Sequence, residues 1–301
     1  MTHVATLISS PARPALDDRA LARAAARLPH AQAPRWLDRG IAADVFFTGS
    51  ERDDNRTLAG ALRGALADAA VDVVVQGAAG RRKRLFVADM DSTMIGQECI
   101  DELADFAGLK AHVAAITERA MRGEIAFEPA LRERVALLEG LPGSVIDEVI
   151  ATRIKLMPGA RTLVATMRAN RAHTCLVSGG FTLFTNRIAE AIGFHENRAN
   201  VLVVRPDGRL AGAVAEPILG REAKLAALVD LRTRLGLGRS DTLAVGDGAN
   251  DLAMLAEAGL GVAYRAKPVV AAAAHARIDH GDLTALLYLQ GYRREEFVEA
   301  P

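Results

Sequence analysis

Two aspartates, Asp89 and Asp91, follow a short apolar run and are separated by a single residue. Carboxylates this close repel each other, so one of them needs a cation or a proton to offset its charge. Such a pair can divide into a nucleophile that stays ionised and an acid that keeps its proton, because the charge of the first raises the pKa of the second. The rest of the chain must then supply a cation and an anion-binding group.

Similar polar groups follow two other apolar runs. The segment 178–180, Ser-Gly-Gly, comes after the run 174–177, and the segment 246–251, Gly-Asp-Gly-Ala-Asn-Asp, comes after the run 242–245. Lys224 lies between them in a helical stretch rich in Ala and Leu. If the runs are parallel strands, all these groups converge at one edge of a sheet, where ligands bind in such folds.

The converging groups together could bind a metal cation and an anion. Crowded carboxylates need a compensating charge, and oxygen ligands without His or Cys favour Mg²⁺. Ser178 and the glycines after it offer a hydroxyl and N–H groups near a helix N-terminus, which favours an anion, and Lys224 adds a positive charge. A hard cation, an anion nest and a lysine together predict phosphoryl transfer.

Each motif alone also has an ordinary structural interpretation. Asp89 and Asp91 could be a solvated turn, the segment 246–251 a turn that begins a helix, and Ser178 a helix cap. Their occurrence in order, each after a buried strand, favours a common site. Other motifs are excluded: the chain has no GxxxxGK[ST] phosphate loop, Asp251 replaces the third glycine of a dinucleotide fingerprint, and no GxSxG elbow surrounds Ser178.

The elements that must position these groups alternate between strand and helix from residue 84 onward. Short, nearly pure apolar runs are typical of strands buried on both faces of a parallel sheet. The predicted strands are 85–88, 174–177, 242–245 and 260–263, and the predicted helices are 160–170, 181–192, 221–235 and 251–258. This pattern predicts an α/β, doubly wound parallel sheet.

Two insertions interrupt the alternation. Residues 97–157 are almost entirely helical in pattern and fall between the first two strands, where a cap over the site could lie. Residues 198–218 predict a β-hairpin with its turn at 206–208, Pro-Asp-Gly.

Residues 1–80 predict a separate small α+β unit, with residues 84–301 forming the larger one. The predicted elements are strands 3–9, 43–47 and 71–76 and helices 17–28 and 55–69, with Asp17 as an N-cap and room for one further strand. The basic run 81–84 could bind nucleic acid or lipid. We interpret it instead as a solvated boundary between the units.

The composition of the chain bears on its partners and its cellular compartment. The 301 residues carry equal numbers of acidic and basic side chains, 37 each, which argues against nucleic-acid and membrane-surface partners. Cys99 and Cys175 lie far apart and outside any metal motif, so we expect reduced thiols. The first residues lack a signal-peptide pattern, and no apolar run reaches the roughly 18 residues of a membrane span. The cytoplasm is therefore the expected compartment.

Taken together, four motifs resemble those of the haloacid dehalogenase superfamily: DMDST at 89–93, SGG at 178–180, Lys224, and GDGAND at 246–251. The cap gives a narrower resemblance, because Glu98 and the segment 117–142 look like those of phosphoserine phosphatases. The resemblance covers about residues 84–290. Met90 stands where the family usually has Phe, and we expect no loss of activity from it.

The resemblance implies roles for individual residues. Asp89 would be the nucleophile that becomes aspartyl-phosphate, and Asp91 the general acid and then the base. Mg²⁺ would be held by Asp89, Asp247 and the main-chain carbonyl of Asp91. The phosphoryl group would be held by Ser178, Gly179, Gly180, Lys224 and Asn250, with Thr93 and Asp251 in support.

In the cap, the resemblance assigns Glu98 and Arg134 to the amino and carboxylate groups of a serine. Helical periodicity supports Arg134 independently, since it lies about 60° from the centre of the apolar face formed by Leu131, Val135 and Leu138. A charge so close to a buried face needs a partner, either a substrate carboxylate or a cap glutamate.

The implied activity is Mg²⁺-dependent hydrolysis of O-phosphoserine, the last step of serine biosynthesis. A phosphatase or phosphotransferase for another small phosphomonoester is one alternative, and a serine-sensing protein that kept the catalytic unit for binding is another. The N-terminal unit resembles, by topology and position, the ACT-like domain of some bacterial family members. That resemblance suggests a homodimer and serine as a feedback ligand, while a packing unit that senses nothing is equally compatible.

Overall fold

The computed structural model describes residues 2–49, 54–121 and 124–299. Arg122 and Gly123, which belong to the cap segment that carries the resemblance, lie outside these residues. Within the described residues the strands form a six-stranded sheet, a four-stranded sheet and a two-stranded hairpin. No helix in this part of the chain is both long enough and apolar enough to cross a membrane.

The strands are β1 (His3–Ser9), β2 (Arg35–Asp38), β3 (Ala42–Phe47), β4 (Val71–Gly77), β5 (Leu85–Ala88), β6 (His173–Phe181), β7 (Glu196–Asn200), β8 (Leu202–Val204), β9 (Leu210–Val214), β10 (Thr242–Gly246), β11 (Leu260–Tyr264) and β12 (Ala276–Ile278). The α-helices are α1 (Asp18–Ala25), α2 (Asn55–Ala65), α3 (Cys99–Phe106), α4 (Lys110–Met121), α5 (Phe127–Ala136), α6 (Val145–Arg153), α7 (Ala160–Ala169), α8 (Thr182–Ile192), α9 (Arg221–Arg234), α10 (Leu252–Glu257), α11 (Pro268–Ala273) and α12 (Ala285–Leu289).

The large sheet is parallel throughout and has the order β12-β11-β10-β5-β6-β7. Alternate residues of β5 point to opposite faces: Phe86 belongs to one apolar core and Val87 to the other. Both side chains are fully buried. Burial on two faces is the reason that β5 reads as a continuous apolar run. The predicted fold class, a doubly wound α/β sheet, is confirmed.

The helical insertion also has the predicted character, because α3 to α6 lie between β5 and α7 and are joined without an intervening strand among the described residues. The hairpin is formed by β8 and β9, and β9 packs on α5 of the cap. Helices α1 and α2 end three to four residues earlier than predicted, and one boundary beside the predicted site also differs. Strand β6 continues through Gly179 and Gly180 to Phe181, and α8 begins only at Thr182.

The N-terminal sheet is antiparallel, with the order β2-β3-β1-β4. Helices α1 and α2 cover one face of it around a core that includes Leu7, Leu21 and Leu62. Asp17 caps α1 as predicted, since its carboxylate accepts a hydrogen bond from the Ala20 N–H at 2.7 Å.

The interpretation of the basic run 81–84 as solvated was wrong for two of its members. Arg81 and Lys83 are each 8 % exposed. Arg81 forms a buried, two-pronged ion pair with Asp44 of β3, with its shorter contact at 2.6 Å. It also donates to the main-chain carbonyls of Tyr288 and Leu289. Sequence alone could not reveal this role, because the counter-ion lies 37 residues away.

A second buried carboxylate joins the N-terminal sheet to the large one. Asp72 of β4 accepts hydrogen bonds from the main-chain N–H groups of Asp279, His280 and Gly281, which follow β12. Two residues further on, the Leu283 N–H donates to the carbonyl of Pro158, in the segment where the chain returns from the cap. Residues 279–283 thus link the N-terminal sheet to the base of the cap, with hydrogen bonds at both ends.

Candidate active site

The predicted site residues converge at the carboxyl edge of three adjacent strands. Strands β10, β5 and β6 are neighbours in the sheet, so the segments after β5 and β10 and the end of β6 meet there. A cavity of about 200 Å³ opens between this edge and the cap. Its walls are formed by Asp89, Asp91, Glu98, Ile100, Phe127, Leu131, Arg134, Ser178, Gly179, Gly180, Phe181, Asp247, Gly248, Asn250 and Lys267.

Lys224 links two carboxylates at the bottom of this site. Its Nζ lies 2.6 Å from Oδ1 of Asp89 and 2.7 Å from Oδ1 of Asp251. All three side chains are almost completely buried. Gly248 donates its N–H to the other oxygen of Asp251 at 3.0 Å. The cluster holds two negative charges against one positive charge, so it needs further positive charge for balance.

The charges within the cluster shift each other's pKa. Burial, opposed mainly by the charge of Lys224, raises the pKa of the Asp89 carboxyl. Burial lowers the pKa of Lys224, but the charges of Asp89 and Asp251 outweigh it and raise that pKa above its usual value. A bound cation next to Asp89 would favour its ionised form.

Asp91 lies beside Asp89 but has different neighbours. The Cys99 N–H is 3.4 Å from its Oδ1. Burial, and then the charge of Glu98, raise the pKa of Asp91 to about 7. After Asp91 the chain turns sharply at Ser92, which has a φ of 55° and donates its hydroxyl to Glu98 at 2.7 Å. With a pKa of about 7, Asp91 can carry a proton at neutral pH.

The carboxylate arrangement fits a divalent cation. Oxygen atoms of Asp89, Asp247 and Asp251 lie within 4.8 Å of one another. Burial, and then the charges of Asp251 and Glu98, raise the pKa of Asp247 to about 6. Thr93 donates its hydroxyl to Asp247 at 3.3 Å. A hard cation would relieve this repulsion, and the all-oxygen donor set is of the kind that such cations prefer.

The end of β6 forms one wall of the cavity. Ser178 is 3 % exposed, and its Oγ accepts the N–H of Gly180 at 2.8 Å. A Cβ on Gly180 would lie 3.0 Å from that Oγ and 3.4 Å from Oδ2 of Asp91, so a side chain there would crowd the site. Asn200 accepts the N–H of Leu219 and donates to the Gly179 carbonyl at 2.9 Å, which fixes the strand end.

Arg134 enters the cavity from α5 of the cap and has no counter-ion among the described residues. Its single hydrogen bond joins Nε to the carbonyl of Ala130 at 3.2 Å. Burial lowers its pKa, against the weaker opposing charges of Asp101 and Glu98. The neighbouring Arg132, in contrast, is exposed and paired with Glu216. In the described part of the cap, the alternative of a salt bridge between Arg134 and a glutamate is therefore not observed.

A sequence model of the haloacid dehalogenase-like hydrolases matches residues 86–256, which run from β5 to α10 and include every predicted site residue. The chain belongs to this hydrolase family. Its members generally use a divalent metal, which agrees with the carboxylate cluster.

Individual relatives of this haloacid dehalogenase-like hydrolase are phosphoserine phosphatases. One from Streptomyces coelicolor is 45 % identical over 86 % of the chain and 62 % of its own length, so the chain spans about three fifths of that relative. One from Polaromonas sp. is 48 % identical over 68 % of the chain and 89 % of its own length. The crystal structure of a probable phosphoserine phosphatase from Vibrio cholerae has a TM-score of 0.77 at 30 % identity, covering 98 % of this chain and 88 % of its own.

Some cavity residues of this haloacid dehalogenase-like hydrolase were not predicted. Phe127, the first residue of α5, is 42 % exposed, and its ring atoms lie 3.6 to 3.8 Å from the points where a Cβ would stand on Gly220 and Gly179. Lys267 follows β11 by three residues, and its N–H donates to the carbonyl of Asp247. The rule that ligands bind at strand ends, applied to β11 as well, would have found Lys267.

Proposed function

We propose that this protein is a Mg²⁺-dependent phosphoserine phosphatase that hydrolyses O-phospho-L-serine to L-serine and phosphate. The observation that carries the proposal is that one cavity contains both Asp89, held by Lys224, and Arg134, which has no ion-pair partner among the described residues. The Asp89–Lys224 pair is suited to the transfer of a phosphoryl group, and Arg134 is suited to binding the carboxylate of an amino acid.

Asp89 attacks phosphorus and becomes an aspartyl-phosphate, as the seryl oxygen leaves. Asp91 protonates that oxygen and then removes a proton from the water that hydrolyses the intermediate. A pKa raised to about 7 supports both steps, because Asp91 can then give and take a proton near neutral pH. The different environments of the two carboxyl groups thus divide the work between them.

The transferred phosphoryl group is held by Ser178, Gly179, Gly180, Lys224 and Asn250. Asp89, Asp247 and the main-chain carbonyl of Asp91 would hold Mg²⁺, with Thr93 and Asp251 in support. When bound, the ion would supply positive charge beside the phosphoryl group and favour the ionised form of the nucleophile.

At the other end of the substrate, Arg134 binds the carboxylate and Glu98 binds the ammonium group. Two observations support this assignment: Arg134 has no partner among the described residues except the Ala130 carbonyl, and Glu98 lines the same cavity. A bidentate arginine–carboxylate pair gives both affinity and orientation.

Replacement of Arg134 tests this recognition. We expect Arg134→Ala to lower kcat/KM for phosphoserine by about 100-fold or more, because a charged, bidentate contact is lost. Hydrolysis of 4-nitrophenyl phosphate, which lacks the carboxylate, should change by less than about threefold. The matched control is Arg132→Ala, two residues away on the same helix and exposed. Equal losses on both substrates would make Arg134 structural.

The most direct test of the proposal is phosphate release from phosphoserine with and without Mg²⁺. Removal of the metal with EDTA should lower turnover at least about 100-fold, and added Mg²⁺ should restore it. A panel of phosphorylated small metabolites should give lower kcat/KM than phosphoserine. A better substrate in that panel would contradict the proposed specificity and favour a phosphatase or phosphotransferase for that compound.

For the whole chain we propose two units, an ACT-like domain over residues 1–80 and a phosphatase domain over residues 84–301 with its cap at about 97–157. A homodimer and serine feedback through the first unit remain hypotheses. Cys99 and Cys175 are buried, unpaired thiols, which supports a reducing compartment and hence the cytoplasm.

A further inference from the structure

A second cavity lies where the N-terminal sheet meets the large sheet. Strands β4 and β12 are edge strands of their sheets and lie against each other. No main-chain hydrogen bond joins the described residues of these two strands. Helices α2 and α11 flank the gap, which encloses about 270 Å³. At about 30 Å³ per liquid water, this is room for roughly nine waters or one small metabolite.

Three arginines from two elements line this cavity: Arg56 and Arg63 of α2, and Arg277 of β12. Arg277 has a carboxylate partner, since its Nε lies 2.8 Å from Oδ2 of Asp279. Arg56 lies 3.9 Å from Asp54 and reaches across to the carbonyl of Ala273 at the end of α11. Its guanidinium thus spans the cavity rim between the two units.

Arg63 differs from the other two. Its guanidinium forms no hydrogen bond and no ion pair with any described residue, although the side chain is only partly exposed. Burial, and then the charge of Arg277, lower its pKa, against the weaker opposing charges of Asp279 and Asp72. The nearby carboxylate of Asp72 is already bound to three main-chain N–H groups. Arg63 therefore places a guanidinium without a hydrogen-bond or ion-pair partner among the described residues beside the like charge of Arg277, in a half-enclosed space, which favours an anion.

His275 adds a neutral donor to the same cavity. Its Nδ1 accepts the N–H of Gly261 at 2.9 Å, so the proton of the neutral ring is on Nε2. Burial, and then the charges of Arg239 and Arg56, lower the pKa of His275 and keep it neutral. The remaining wall is mostly Val and Ala side chains, which leave the guanidinium groups as the main polar features.

We infer that this inter-unit cavity is a second ligand site, and that it binds a small metabolite through a carboxylate or phosphate group held by Arg63 and Arg277. Planar guanidinium groups match both kinds of oxyanion bidentately. The site is separate from the catalytic cavity, and the inference does not depend on the activity proposed above. An anion bound there would contact both the N-terminal unit, through Arg63, and the catalytic unit, through Arg277.

Selenate, a tetrahedral oxyanion with a strong anomalous signal, tests the site directly. Crystals of the full chain soaked in sodium selenate should show an anomalous peak within hydrogen-bond distance of Arg63 and Arg277. A peak at the catalytic cavity is distinguished by its position. Absence of a peak between β4 and β12, in crystals whose lattice leaves the cavity open, would overturn the inference.

Solution binding is measured as the rise in unfolding temperature on titration with sulfate or malonate, against chloride at equal ionic strength. Arg63→Gln should need at least about tenfold more anion for the same rise. The matched control is Arg19→Gln, an exposed arginine of α1 with the same loss of charge. Any binding at the catalytic cavity contributes equally to both variants and cancels in the comparison.

The two anions separate the ligand classes, because a response to sulfate indicates a phosphate group and a response to malonate indicates carboxylates. Arg63→Lys keeps the positive charge but loses the planar guanidinium, so the anion concentration that it needs for the same rise should lie between those of wild type and Arg63→Gln. This variant replaces Arg63→Gln in the test if the glutamine variant does not fold. Identical titrations of the Arg63 and Arg19 variants would overturn the inference.

Discussion

Asp89→Asn should abolish turnover of phosphoserine, with a loss of about 10⁴-fold or more. The amide is nearly isosteric but cannot attack phosphorus, and removal of a nucleophile is among the most damaging changes to an enzyme. The measurement is kcat for phosphate release at saturating Mg²⁺. A second readout is the acid-stable phosphoryl label on the protein after rapid quenching, which should be present in wild type and absent in the variant.

The matched control for this prediction is Asp147→Asn. Asp147 is an exposed carboxylate on α6 that pairs with Arg187 and does not line the cavity. Its variant should keep wild-type turnover and labelling. Substantial turnover in Asp89→Asn would remove the covalent mechanism, even if the substrate were confirmed.

Lys224→Met should impair both stability and catalysis. The change leaves Asp89 and Asp251, which are 7 % and 0 % exposed in their side chains, without a counter-ion. Loss of one member of a buried ion pair costs about 3–5 kcal/mol of the free energy of unfolding. Urea denaturation in EDTA measures this cost, because no added cation can then replace the ammonium group. Turnover with Mg²⁺ should fall about 10³-fold, since a charge on the phosphoryl group is also lost.

An exposed lysine provides the comparison. Lys110→Met removes a surface pair with Asp105, whose charges are 3.5 Å apart and screened by solvent. It should leave the free energy of unfolding and turnover nearly unchanged. If Lys224→Met were as mild as Lys110→Met, the central role of the Asp89–Lys224–Asp251 cluster would be wrong.

The sequence was most informative where burial and chemistry coincide. Strand β5 was predictable because both of its faces are covered, which forces a run of apolar residues, and Asp89 was predictable because it ends that run. Strand β7, Glu196–Asn200, was missed because it is an edge strand with a largely polar sequence. Strand β12 was missed because three residues are too short for a periodic pattern.

Long-range partners limited the rest of the prediction. The burial of Arg81 depends on Asp44 and on carbonyls more than 200 residues away, so no local pattern distinguishes it from its solvated neighbour Arg82. The partial burial of Arg134 was easier to predict, because its position on an amphipathic helix already indicated a half-buried charge. That it has no counter-ion among the described residues could be learned only from the structure.

The hydrogen bonds from Asp72 to residues 279–281 bear on how the two units can be separated. If the N-terminal sheet were removed, these three N–H groups would lose their acceptor, and the segment that leads to Leu283 and its bond with Pro158 would lose its anchor. Family members that consist of the catalytic unit alone must hold this segment by other means. In this chain, the N-terminal sheet belongs to the framework of the hydrolase and is not an interchangeable accessory.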